Sequence, residues 1–357
     1  MKIALVHDWL DMLGGAERVL IELHKMFPEA PIYTLFAEEQ FLKKYLPEAR
    51  IITSGIQNLP FRRSALWAPA MCVAIELFDL SAYDIVISSS VFFSKGLVLR
   101  PRTKHICYCY SPTRQLWDRN IESRRGIFAA IGKNILRLWD SHSSGRVDYF
   151  VAISKHVQDR IRKYYRRDSK IIYPPATSFA RKASTAPGED YYLIISRLYP
   201  HKNLDIAIEA FNKLGYSLYI IGDGPLRNRL SKLADANIRF LGELNDDEVA
   251  RYYQYAKAFI MPQEEDFGLT AVEAMSFGKP ILALRKGGAL EIVQEGISGE
   301  FFDDPIAEGL ADGVRRLNEQ TYDSEMIKTA AKKFSTDTFR TEIQNLIHET
   351  FSHHHQL

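Results

Sequence analysis

Two α/β domains, each with a doubly wound parallel sheet, are predicted by three features of this sequence. The chain has 357 residues, more than one ordinary core accommodates. Short apolar runs alternate with amphipathic stretches almost from end to end, the pattern of repeated strand–helix units. A stretch rich in proline and small polar residues, from Tyr173-Pro-Pro to Gly188-Glu-Asp190, interrupts that pattern near the middle. The expected organisation is a first domain over residues 1–176, a linker over 177–190 and a second domain over 191–336. Ligands of such sheets sit beyond the carboxyl ends of the strands.

Composition narrows the class. With 46% apolar and 25% charged residues, the chain is neither disordered nor fibrous. Cys72, Cys107 and Cys109 all fall in apolar segments without metal-ligand spacing, so a reducing cytoplasm is the expected setting. Met1 leads straight into a strand, so no signal peptide is expected, and no apolar run approaches the ~20 residues of a membrane span. The net charge of +2 hides an asymmetry: residues 1–178 hold 26 Lys+Arg against 17 Asp+Glu, and the remainder 20 against 27. A basic first half suits anionic lipid or a diphosphate. The balanced total and the lack of recognition motifs speak against nucleic acid.

Lys2-Ile-Ala-Leu-Val6 reads as a buried parallel strand. Gly14 and Gly15 follow, then a helix with Ala16, Val19, Leu20, Leu23 and Phe27 on one face. A strand, a glycine pair and a helix start form a phosphate-approach loop or a simple βα turn. Further strands are expected at Pro31–Phe36, Ile51–Ile52, Asp84–Ser88 and Lys104–Tyr108. Ser64–Leu80 is apolar beyond one helical stripe, fitting either a buried helix or a surface for lipid. The stretch Arg119–Trp139 sets Arg124, Arg125, Lys133 and Arg137 beside Ile127, Phe128, Ile131, Ile135, Leu136 and Trp139. Such a helix lies in a membrane interface or packs one face on the core. Asp148–Ile153 is a strand, and Ser154 caps the helix after it.

The second domain opens with the strand Tyr191–Ile195, followed by Arg197 and Lys202 just before a helix over Leu204–Leu214. Two cations at a strand's carboxyl end suit a diphosphate, which arginine holds through paired hydrogen bonds. Ser217–Gly222 and Ile238–Gly242 are further strands, and Asn245 caps the next helix. Ala258–Met261 is then a strand stopped by Pro262, and a helix starts near Gly268. The amides of Phe267, Gly268 and Leu269 would face an anion at the helix's positive end, with Gly268 allowing close approach. Glu265 and Glu273 flank this cradle. They either accept hydroxyls, Glu265 from a hexose and Glu273 from a ribose, or form a solvated first turn. Pro280–Leu284 is a strand, Gly287 and Gly288 start another helix, and the chain is helical from Pro305. His353, His354 and His355 are read as a terminal tail rather than a metal site.

The Glu-x7-Glu spacing around Phe267-Gly268-Leu269, followed by Gly278-Lys-Pro280, resembles the retaining glycosyltransferases of family 4, which have the GT-B fold. That likeness extends over nearly the whole chain. It implies two Rossmann-like domains facing a cleft, with the last helix, 337–352, crossing back to the first domain. It implies that Arg197 and Lys202 hold the donor phosphates, with Glu265 also catalytic. Gly15, Gly222, Phe267, Gly268, Leu269 and Glu273 would complete the donor site. Gly14, Gly15, Tyr110 and Arg114 would lie on the acceptor side. Tyr108-Cys-Tyr-Ser-Pro-Thr-Arg114 resembles an element of one branch of the family, with Tyr110 where the usual form has a histidine. That branch implies mannose transfer from GDP-mannose to lipid-linked oligosaccharides at the inner face of the cytoplasmic membrane, with UDP-sugars second. No divalent metal and no cofactor is implied. A non-catalytic sugar-nucleotide-binding subunit and an epimerase of the same fold are the rival readings.

Overall fold

A computed structural model describes residues 1–118, 127–177, 179 and 190–352. Arg124 and Arg125, most of the expected linker and the three terminal histidines lie outside the described residues. The chain separates into two compact units. One comprises residues 1–173 with the chain from Arg340 on; the other comprises 174–339.

The first unit holds β1 (Ile3–His7), β2 (Ile32–Thr34), β3 (Ile51–Thr53), β4 (Ile85–Ser90), β5 (Lys104–Cys109), β6 (Tyr149–Ala152) and β7 (Ser169–Ile171). Their order is β3-β2-β1-β4-β5-β6-β7, parallel throughout. The second unit holds β8 (Tyr192–Ile195), β9 (Leu218–Ile221), β10 (Ile238–Gly242), β11 (Ala258–Met261), β12 (Ile281–Leu284) and β13 (Gly299–Phe302). These run β10-β9-β8-β11-β12-β13, also parallel. Strand order reverses between β1 and β4 and between β8 and β11, so each sheet has its ligand-binding switch point there. β13 is the one strand of the second sheet that the apolar pattern did not reveal. It begins on a glycine and carries Glu300.

Seven of the helices matter below: α1 (Gly15–Met26), α2 (Ala68–Glu76), α3 (Ile127–Ser144), α4 (Leu204–Leu214), α5 (Asp246–Tyr255), α6 (Leu269–Ser276) and α7 (Thr336–Ser352). Local chemistry starts them where expected. The Asn245 side chain accepts from the Glu248 amide, and the Glu248 carboxylate accepts from the Asn245 amide, both at 3.0 Å, which is a reciprocal cap. Ser154 accepts from the Val157 amide at 3.0 Å. α2 resolves the ambiguity of its apolar segment by serving two environments. Met71, Cys72 and Ile75 are buried, while Val73 and Leu77 stay exposed. α7 begins one residue before the expected start at 337, and Ile343, Leu346 and Ile347 are buried. Its Arg340 Nε donates to Glu22 Oε1 on α1 at 2.6 Å, which ties the end of the chain to the first unit.

Candidate functional site

In the second unit, Phe259 on β11 pairs with Leu193 on β8, so the loops that leave these strands lie side by side. After β8 the chain passes Arg197 and a single 3-10 turn, Pro200–Lys202, before α4. After β11, Pro262 turns it through Gln263–Phe267 into α6. Asn203, at φ 51°, donates from Nδ2 to the Pro262 carbonyl at 3.2 Å and joins the two loops. Lys202, buried, donates from Nζ to Glu265 Oε1. Gln263 Nε2 donates to the same oxygen at 2.8 Å. The Glu265 backbone is fixed as well, because the Gly288 amide donates to its carbonyl at 2.9 Å. A buried ammonium is unfavourable without a counter-charge, and Glu265 supplies it. Lysine has three donors, so Nζ can keep Glu265 and still meet a phosphate oxygen.

α6 leaves its first amides, at Leu269 and Thr270, without intrahelical partners. Gly268, immediately before them, has φ 112°, and a Cβ there would meet Met261 Sδ at 3.1 Å and Ile292 Cδ1 at 3.2 Å. The glycine is therefore required by its own backbone and by these neighbours, whereas the sequence reading attributed it to close approach of a ligand. The Phe267 ring is buried against Phe334, with centroids 5.3 Å apart. Glu273 is buried and its Oε2 accepts from Tyr253 on α5 at 3.0 Å, which excludes the solvated-first-turn reading for that residue. Gly222 donates its amide to the Gly242 carbonyl at 2.7 Å and packs on the Ser196 backbone. Arg197 is exposed, its guanidinium 5.6 Å from the centre of the Tyr199 ring. The structure thus brings Lys202, Gln263 and Glu265 together and leaves Arg197 outside their hydrogen-bond cluster.

In the first unit the Gly14 amide donates to Glu17 Oε2 at 2.8 Å. It is engaged inside the protein, and Gly15 follows it as the first residue of α1. Glu17 Oε1 lies 3.3 Å from His7 Nε2, and His7 Nδ1 donates to the Ser89 carbonyl at 2.9 Å. Burial lowers the His7 pKa, but the Glu17 hydrogen bond, the charges of Glu17 and Asp8 and the Ser89 carbonyl outweigh it, so the net shift is upward. Tyr110 meets the start of α1. Its hydroxyl donates to the Ala16 carbonyl at 3.0 Å and shares a hydrogen bond with Ser89 Oγ at 2.9 Å. Burial pushes its pKa well above the usual value. Tyr110 therefore braces the first turn of α1 with its hydroxyl. Arg114 is half-buried at the start of a short helix.

Residues 13–176 match the family described as Glycosyltransferase Family 4, and residues 177–334 match Glycosyl transferases group 1. Both units are glycosyltransferase domains. The chain is 32% identical over 155 residues to an uncharacterized glycosyltransferase of Methanocaldococcus jannaschii, covering 41% of this chain and 44% of that protein. It is 30% identical over 162 residues to a GDP-mannose-dependent phosphatidylinositol monomannoside mannosyltransferase of Mycobacterium tuberculosis, covering 40% and 42%. An O-antigen chain mannosyltransferase of Escherichia coli is 26% identical, over 38% and 39%. The chain thus spans about two fifths of the length of these relatives. Among solved structures, a sucrose-phosphate synthase of Thermosynechococcus elongatus superposes with a TM-score of 0.76 at 16% identity, covering 99% and 100% of the two chains. Anabaena HepE in complex with UDP gives 0.72 at 19%, covering 98% and 100%. These neighbours carry the GT-B fold.

Within the glycosyltransferase domains, sequence reasoning missed Gln263, Tyr253, His7 and Glu17. A polar residue directly after a strand-ending proline was the available signal for Gln263. A histidine ending β1 and an acidic residue three past the first glycine were the signals for His7 and Glu17.

Proposed function

We propose that the protein is a retaining glycosyltransferase that moves a hexose, mannose from GDP-mannose, onto a lipid-diphosphate-linked oligosaccharide. The observation that carries this is the meeting of Lys202 and Glu265 beyond β8 and β11, at the switch point of the second sheet. In this reading the sugar C1–oxygen bond breaks and the diphosphate leaves with the bonding pair. Lys202, Arg197 and the amides of Gly268 and Leu269 offset its developing charge without calling on a divalent metal. The acceptor hydroxyl attacks from the same face, and its proton passes to the departing phosphate oxygen. Glu265 takes hexose hydroxyls and stabilises the cationic ring, and Glu273 serves the ribose. Gly15 and Arg114 belong to the acceptor side, and Gly14 and Tyr110 shape that loop from behind.

The mannose assignment is supported by the names of the mycobacterial and Escherichia coli relatives. A UDP-sugar is the second reading, favoured by a 27% identical lipopolysaccharide N-acetylglucosaminetransferase of Salmonella typhimurium. Thermal unfolding with GDP-mannose, UDP-glucose and UDP-N-acetylglucosamine separates them. A ligand at 100 times its Kd adds about 2.7 kcal/mol of stability, so GDP-mannose should raise Tm by several degrees more than either UDP-sugar. The reverse order would replace the mannose assignment.

Peripheral membrane contact at the cytoplasmic face is part of the same proposal. No helix among the described residues is long and apolar enough to cross a membrane. On α3, Ile131, Ile135 and Leu138 are exposed at helical spacing beside Lys133 and Arg137. α2 exposes Val73, and Leu77 follows it as the C-cap, with Phe61 and Leu66 just before the helix. Trp139 Nε1 on α3 donates to Glu76 on α2 at 3.0 Å, so the two apolar strips are neighbours. Apolar area ringed by cations binds anionic bilayers. The double variant Leu77→Glu with Leu138→Glu should bind phosphatidylglycerol vesicles ~10-fold more weakly in co-sedimentation. Equal binding would remove this surface from the account.

A further inference from the structure

Gln263 is the first residue beyond Pro262 and only 3% exposed. The chemistry of its neighbour fixes its orientation. The group 2.8 Å from Glu265 Oε1 is the amide NH2, because a carbonyl there would face a carboxylate with no proton between them. The side-chain carbonyl Oε1 therefore points elsewhere. It is shielded from solvent and accepts no hydrogen bond from any described residue. Buried side-chain carbonyls nearly always have a donor. One left open next to a charged Lys–Glu pair marks a place where the donor arrives with the ligand.

We propose that Gln263 is a sugar-specificity residue: its Oε1 accepts a hydrogen bond from a hydroxyl of the transferred hexose, while its Nε2 holds Glu265 in register for another. This rests on the donor-site reading given above. A nucleotide sugar brings few groups able to satisfy a carbonyl. The diphosphate has no donors when ionised, which leaves the hydroxyls of the sugars and the base. Gln263 touches Glu265, assigned to the hexose, whereas Glu273 is held by Tyr253 on a separate helix turn. The hexose is therefore the group within reach. A site built to hydrogen-bond a hydroxyl rejects the analogue that lacks it, because its own polar atom is left unpaired.

The test is calorimetric and needs no acceptor. Dissociation constants of GDP, GDP-mannose and each monodeoxy-mannose counterpart are measured with the wild type, Gln263→Leu and Gln263→Met. The series is repeated with UDP-glucose and its deoxy forms if that donor binds more tightly. The wild type should bind one monodeoxy donor ~10-fold more weakly than the parent. Both variants should bind the parent ~10-fold more weakly and no longer distinguish that pair, with GDP affinity within about twofold of wild type. Variants that keep the wild-type discrimination would overturn the proposal, since the carbonyl then meets water instead of sugar. Equal losses for GDP and GDP-mannose would also overturn it and leave Gln263 a structural role. A wild type that binds neither sugar nucleotide would refute the donor-site reading itself, and this inference with it.

Discussion

Lys202→Ala is expected to lower sugar transfer by ~10²-fold or more, the scale on which enzymes lose one group that stabilises developing charge. The effect has two sources. The departing diphosphate loses a desolvated ammonium, whose field is stronger in a buried site than in water. Glu265 also loses its counter-charge, although Gln263 still holds Oε1 and the Gly288 amide still holds the backbone. Nucleoside diphosphate released per minute from wild type and variant, with a lipid-linked acceptor, is the measurement. Turnover within a factor of two would remove Lys202 from the phosphate site. Arg197→Ala should cost less, because Arg197 is exposed and lies outside the Lys202–Glu265 cluster.

The largest stability effect is expected in the first unit, away from the proposed chemistry. Asp140 on α3 is fully buried and accepts from Lys95 Nζ at 2.5 Å, Trp117 Nε1 at 2.6 Å, and Thr113 Oγ1 and Tyr165 OH at 2.9 Å. Lys95, itself buried, also donates to the Phe92 carbonyl at 2.7 Å. Four donors from three segments thus converge on one carboxylate. Asp140→Ala would leave a buried ammonium without a counter-charge and three donors without an acceptor. Breaking a buried pair from one side costs about 3–5 kcal/mol. Urea unfolding should show that loss as a lower midpoint, and the double variant Lys95→Met with Asp140→Leu should recover much of it, since no orphan charge remains. A single variant as stable as wild type would contradict the hub role.

The parts legible in the sequence were those governed by neighbours along the chain. Buried strands showed as apolar runs, Asn245 and Ser154 declared their helices, and Glu265 and Glu273 stood at a readable spacing around the α6 start. The parts not legible depend on partners far apart in sequence. Lys202 and Glu265 are separated by 63 residues, and Tyr253 precedes Glu273 by 20. Nothing local tells that Gly268 is hemmed in by Met261 and Ile292, or that the Tyr110 hydroxyl reaches back to Ala16. Gly14 misled for a related reason. A glycine before a helix looks like an anion loop, but here the Glu17 carboxylate already occupies its amide.

Charge compensation of a departing diphosphate by the second unit is the central claim, and a crystal structure with GDP bound tests it most directly. The account predicts the two phosphates within hydrogen-bonding distance of Lys202 Nζ and of the amides of Gly268 and Leu269, with the ribose hydroxyls at Glu273. Phosphates bound at another part of either sheet, with the Lys202–Glu265 pair untouched, would contradict it.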